Sequence, residues 1–134
     1  MESYHLDTSV VMRLLVQEPA GQYIQAASFL EEKLSAGADA FVCDLTLTEA
    51  YFALQSFYEV PKAKALELLA GFIDTPGIMP TSHARSILSL PNLASAKPGF
   101  ADRLIHGTAV SVDQTLVTFE KAARKLRKAL VLGA

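Results

Sequence analysis

At 134 residues and 14.5 kDa, the chain is the size of one ordinary domain, expected to span residues 1–134, with enough mass to bury a core without staples. Its 51% hydrophobic and 19% charged residues and mean hydropathy of +0.27 exclude a disordered chain, and its interrupted apolar runs fall short of the ~20 residues of a membrane span. A net charge of −2 excludes nucleic-acid binding by bulk charge and leaves only a local basic surface for that role. Cys43 is the single cysteine, which rules out an internal disulfide and a cysteine-based zinc site and makes the reducing cytoplasm the expected compartment. Met1-Glu2-Ser3-Tyr4-His5 has neither the basic start nor the apolar stretch of a secretory signal.

In chain order, Tyr4-His5-Leu6 predicts a short strand stopping at Asp7-Thr8-Ser9. An apolar helix follows over residues 10–16, closed by Pro19 and Gly21. Residues 22–36 have helical spacing, with Ile24, Ala27, Leu30 and Leu34 on one face. Phe41-Val42-Cys43 predicts a second strand. Thr46-Leu47-Thr48-Glu49 then opens a helix reaching Tyr58, and Pro61 restarts helix at its first position as far as Ile73. Pro76-Gly77 predicts a turn, Ile78-Met79 a brief strand, residues 82–90 a helix and 92–99 a loop. Residues 100–112 are expected to be helical, 115–118 a strand, 120–128 a basic helix and 129–132 an edge strand. Short apolar strands alternating with helices predict a helix-rich α/β sandwich, its parallel sheet covered on both faces.

Several chemistries are excluded. The seven glycines form neither G-x-G-x-x-G nor a phosphate-binding P-loop, and His5, His83 and His106 make no H-E-x-x-H. Position 9, where a two-aspartate phosphatase would need its second acid, is Ser9, and there is no G-x-S-x-G elbow. What remains is a set of acids at strand-to-helix junctions: Asp7 ends the first strand, Glu49 opens the helix after the second, Asp102 lies in the first turn of its helix, and Glu120 follows the 115–118 strand.

The carboxyl ends of parallel strands form the crevice where ligands bind, so Asp7, Glu49 and Glu120 are expected on one edge, joined by Asp102 if its helix starts nearby. Each also has an ordinary structural role. Asp7 can cap the next helix, first-turn acids complement the helix dipole, and Thr46 with Glu49 fits a capping box. Against that, Glu49 shares a helix face with Leu45, Phe52 and Ala53, and Asp102 precedes Ile105 on its own face. Two carboxylates about 4 Å apart repel by around 4 kcal/mol at an effective dielectric of 20, so converging acids need a cation. Oxygen ligands without a cysteine or histidine cluster suit Mg²⁺ (or Mn²⁺).

Leu6-Asp7-Thr8-Ser9, Leu45-Thr46-Leu47-Thr48-Glu49, Phe100-Ala101-Asp102-Arg103-Leu104-Ile105 and Leu116-Val117-Thr118-Phe119-Glu120 occur in the order of a PIN domain. Over nearly its whole length the chain resembles VapC-type toxins of prokaryotic toxin–antitoxin pairs. The resemblance implies a PIN-like three-layer α/β/α sandwich with a short-stranded parallel sheet. It implies a Mg²⁺-dependent endoribonuclease that cuts RNA, is neutralised by a cognate antitoxin and forms a homodimer. Asp7, Glu49 and Asp102 match the family's metal-holding acids, and Glu120 stands where the family usually has aspartate. Thr8 or Ser9 and Thr118 match hydroxyl residues that orient those carboxylates and the bound water. Arg103 and His106 stand where the family often has small or apolar residues. Two other readings share these residues: a catalytically weakened PIN-fold binding module, and another Mg²⁺-dependent nuclease or phosphohydrolase.

Outside the acids, His106 falls four residues after Asp102 on the same helical face, where a hydrogen-bonded structural histidine is the ordinary role and substrate contact the alternative. His5 is expected to be packed. Lys121, Arg124, Lys125 and Lys128 form one helical stripe with Arg127 nearby. Such a stripe is ordinarily a solvated face; this one starts beside Glu120, where it can meet RNA phosphates. Tyr51, Leu54, Phe57 and Tyr58 form an apolar stripe suited to core or dimer contact, with Tyr58 the expected exposed member.

Overall fold

A computed structural model describes residues 2–133. It divides into two units, one through Thr81 and one from Ser82 onward.

The first unit is built on three short parallel strands, β1 (Ser3–His5), β2 (Asp39–Val42) and β3 (Ile78–Pro80), in the order β1-β2-β3. The register pairs Tyr4 with Ala40 and His5 with Phe41, then Ala40 with Ile78 and Val42 with Pro80. Proline lacks the ladder N–H and is tolerated at Pro80 because β3 is an edge strand. Bonds from Leu6 N to the Phe41 carbonyl (2.8 Å) and from Thr81 N to the Val42 carbonyl (3.0 Å) carry the pairing one residue further. The carboxyl ends of the three strands therefore lie side by side.

Helices α1 (Thr8–Val16), α2 (Ala20–Ser35), α3 (Asp44–Ser56) and α4 (Lys62–Ile73) complete the unit. Its core is Val11, Ala40, Val42, Leu47, Ala50, Leu54, Ala65, Leu69, Ile73 and Ile78, all at 1% exposure or less. Burying a side chain such as Leu47 contributes about 1.5–3 kcal/mol. Gly77 turns the chain into β3 at φ +91°, and a Cβ there would lie 2.7 Å from Leu34 Cδ2. The left-handed backbone favours glycine, and a Cβ would also push the end of the Leu34 side chain aside.

Three expectations for this unit change. Ile24 does not share the buried face of α2; it is exposed while Leu30 is buried. His5 is exposed, since β1 is a sheet edge. The exposed end of the apolar stripe is Phe57 (82%) more than Tyr58 (41%), because α3 stops at Ser56 and the stripe leaves its buried side after Leu54.

In the second unit α5 (Ala84–Leu88), a 3-10 turn (Leu93–Ser95) and α6 (Phe100–Ser111) precede two parallel strands, β4 (Leu116–Thr118) and β5 (Ala129–Val131). β4 and β5 pair in their own two-stranded sheet, Leu116 with Ala129 and Thr118 with Val131. The parallel strands thus fall into two sheets where one was expected. Ala84, Leu93, Phe100, Leu104 and Ala123 form the buried cluster.

The expected basic helix over residues 120–128 is only a 3-10 turn, Lys121–Lys125. A parallel crossover carrying an α-helix needs a dozen or more residues. The segment between Thr118 and Ala129 is shorter, so Leu126 is already extended and Lys128 takes a left-handed φ of 56°. Lys128 leaves the stripe and pairs with Asp113.

Candidate active site

The first unit places Asp7 and Glu49 at the carboxyl ends of neighbouring strands. Asp7 follows β1 as the N-cap of α1: its Oδ1 accepts from Val10 N at 3.1 Å and from the Ser9 hydroxyl at 2.7 Å. The Ser9 hydroxyl bond, then the Val10 amide, hold its carboxyl below the ordinary carboxylate range. Glu49 follows β2, and its Oε1 accepts from the Thr8 hydroxyl at 2.6 Å. Thr8 and Ser9, adjacent in the chain, thus fix one oxygen of each acid.

The capping box expected of Thr46 and Glu49 is absent. Helix α3 starts two residues earlier, at Asp44 with Cys43 as its cap, so Glu49 lies in the second turn and Thr46 is buried. Without that role, Glu49 reaches Thr8 instead. The residues flanking it, Leu45 (68%) and Phe52 (52%), are solvent-exposed, so its apolar surroundings lie at the surface.

Two groups beside this pair went unread in the sequence. Asp44 is a first-turn acid of α3. Cys43 lies at the end of β2; burial opposes its ionisation, but hydrogen bonding with His5 and then Thr46 brings its thiol down to about 7. Position directly after a strand was the available signal for both. A cavity of this unit, about 440 Å³, is bounded by Tyr4, Leu6, Val10, Gln22 and Phe29 and is lined by neither acid.

The second unit brings Asp102 and Glu120 together. Asp102 is in the first turn of α6, after the Gly99 cap. Glu120 follows β4; its backbone N–H donates to Thr118 Oγ1 at 3.0 Å, and its Oε1 accepts from Ala122 N at 3.0 Å. Asp102, Thr118 and Glu120 line one cavity of about 170 Å³, walled by Ile105, Val117 and Leu126. Lys121 and Arg124 are exposed on the following 3-10 turn and do not line it. His106 does not share it either. Its Nε2 donates to the Arg127 carbonyl at 2.6 Å, and its ring borders a different cavity.

The units carry opposite charge. Through Thr81 there are four Lys and Arg against eleven Asp and Glu, a net −7; from Ser82 on, eight stand against three, a net +5. Within neither unit do three or more described His, Cys, Asp or Glu side chains gather as a ligand set. Mg²⁺ does not require that many, since it keeps several waters and is bound through one or two carboxylates. The donors at hand, carboxylates steadied by hydroxyls, fit a hard cation of this kind.

Comparison with curated proteins finds no match. Among solved structures the chain is similar to a chain of the VapBC2 complex from Rickettsia felis bound to a DNA fragment from its promoter, with 18% identity, 98% of each chain covered and a TM-score of 0.43. The PIN domain profile matches residues 4–129, spanning the four acids, and the chain belongs to the PIN domain family.

Proposed function

We propose that this chain is a VapC-like endoribonuclease, dependent on Mg²⁺ or Mn²⁺, that is neutralised by a cognate antitoxin and acts as a homodimer in the cytoplasm. PIN domains are generally nucleases, and the family match supports that much directly. The observation that carries the reading further is the carboxylate pair of the first unit, in which Thr8 and Ser9 hold one oxygen each of Glu49 and Asp7. Hydroxyls that bind one oxygen of an acid leave the other for a ligand.

In this reading Asp7, Glu49, Asp102 and Glu120 hold the cation. Bound there, the ion supplies charge neutralisation at the phosphoryl oxygens and at the leaving oxygen. Thr8, Ser9 and Thr118 orient the acids, and a carboxylate takes the proton of the attacking water. Lys121 and Arg124 attract the RNA backbone. The exposed Phe57 on the first unit suits the homodimer contact. No described helix is long and apolar enough to cross a membrane.

One observation favours the binding-module reading: Glu120 stands in the family's aspartate position and spends Oε1 on the Ala122 amide. Incubating the chain with single-stranded RNA, DNA and small phosphate esters under Mg²⁺, Mn²⁺ or chelator separates the readings. The expected result is metal-dependent cleavage of RNA, reduced about 100-fold or more in Asp7→Asn and in Asp102→Asn. Intact RNA under every metal would leave the binding module, and cleavage confined to DNA or small esters the other hydrolase.

A further inference from the structure

Around α6 from Asp102 lies a second cavity of the basic unit, about 270 Å³, to which His83, Ser86, Arg103, His106 and Gly107 contribute. No carboxylate lines it. Leu126 is a wall of both this cavity and that of Asp102 and Glu120.

The donors of this cavity are arranged for an anion. Arg103 is half-buried and its Nε donates to the Pro98 carbonyl at 2.7 Å, which fixes the guanidinium plane and leaves the terminal N–H groups for a ligand. No described carboxylate pairs with it. A carbonyl only accepts, so the His106 Nε2 bond to Arg127 places the proton on that nitrogen and anchors the ring. Ser86 spends its hydroxyl proton on the His83 carbonyl at 3.0 Å and His106 spends its Nε2 proton on Arg127, so ligand donors come from Arg103 and the His83 imidazole. Gly107 is a poor residue for a helix interior. Here it makes room: a Cβ at Gly107 would lie 3.1 Å from His83 Cδ2. The helix gives up a methyl and the His83 ring lies against its backbone.

An arginine held in plane, the His83 imidazole and no acid, in a unit of net charge +5, match the charge and forked geometry of a phosphate group. We propose that this cavity binds a phosphate of the RNA backbone other than the one being cut. The anion site follows from the cavity itself; that its phosphate belongs to RNA rests on the ribonuclease reading.

The test is made in chelator, so that nothing is cleaved. Imidazole resonances are followed by NMR, first with inorganic phosphate and then with a single-stranded RNA of roughly ten nucleotides. Both are expected to shift His83 and His106 and to leave His5 unmoved, with RNA displacing the phosphate. Arg103→Gln should weaken RNA binding about tenfold and reduce the salt slope by about 0.7. That variant also loses the bond to Pro98, so two others stand beside it: His83→Gln, at an exposed position, and Gly107→Ala, whose methyl pushes the His83 ring by a few tenths of an ångström. Each should weaken RNA binding about threefold. Unchanged affinity and salt slope in Arg103→Gln and His83→Gln would overturn the site. Phosphate-induced shifts that RNA cannot displace would overturn its assignment to a backbone phosphate. If RNA occupies the cavity but is never cut with metal present, the cavity stands and the nuclease reading falls; cleavage without occupancy gives the reverse.

Discussion

The two units hold their acids in different ways. In the first, Asp7 and Glu49 are exposed carboxylates steadied by hydroxyls, in a segment of net charge −7. In the second, Asp102 and Glu120 line a cavity in a segment of net charge +5, and the Glu120 carboxylate accepts from the Ala122 amide while its own backbone N–H donates to Thr118 Oγ1. A strongly acidic segment repels a polyanion and attracts a cation, and a basic one does the opposite. On the proposed reading, the first unit contributes mainly to holding the metal, and the second also draws in the RNA.

The largest effect that would sharpen this contrast is at Thr8. Thr8→Val removes the 2.6 Å bond to Glu49 at nearly constant volume. Loss of a hydrogen bond that orients a ligand typically costs 10–100-fold in metal affinity. A Mg²⁺ titration followed by calorimetry is expected to show a loss of about tenfold or more. Equal affinity in the variant would mean that Thr8 does not position Glu49 for a cation.

A smaller effect lies in the basic unit. Arg124→Gln should weaken RNA binding and lower the salt slope by about 0.7, the share of one single-strand phosphate contact. Lys64→Gln in the acidic unit should change neither, since Lys64 already pairs with Glu67 and its surroundings repel RNA. Similar losses in both variants would break the contrast.

The smallest effect concerns Asp7. Its carboxyl is held below its ordinary value of 3.8, first by Ser9. A lowered folded pKa gives stability that is present above the unfolded value and lost as pH falls through the folded one. Ser9→Ala should therefore raise the Asp7 pKa toward 3.8 and shift the acid limb of the metal-free stability profile to higher pH. NMR titration of the carboxyl carbon reads this directly, and an unmoved Asp7 would remove Ser9 from its account.

Much of this architecture was legible because strand and helix boundaries carry local signals. Asp7 as cap, Pro76-Gly77 as turn and the alternation of short strands with helices all follow from neighbouring residues. The exceptions depend on distant partners. His5 is exposed because β1 is an edge, which no local pattern encodes. The basic stripe dissolved because a short crossover had to join β4 to β5, and Lys128 found Asp113. At the site, the acids and hydroxyls were visible as residues at junctions. Which hydroxyl serves which acid was not, since the Thr8–Glu49 bond joins positions 41 apart. In the cavity of His83, Arg103 and His106, the two α6 residues stood out in the sequence as polar positions, but their meeting with His83 across another element did not.

The central claim of the proposed reading is that these acids serve a divalent cation. Thermal melting with and without Mg²⁺ tests it most directly in wild type, Asp7→Asn and Asp102→Asn. Asparagine caps a helix as well as aspartate does, so Asp7→Asn keeps the start of α1. At ten times its Kd, Mg²⁺ should stabilise the wild type by about 1.4 kcal/mol, a rise of roughly 4–6 °C in Tm. Either substitution should abolish that rise. A wild type indifferent to Mg²⁺, or a full response surviving in either variant, would contradict the account.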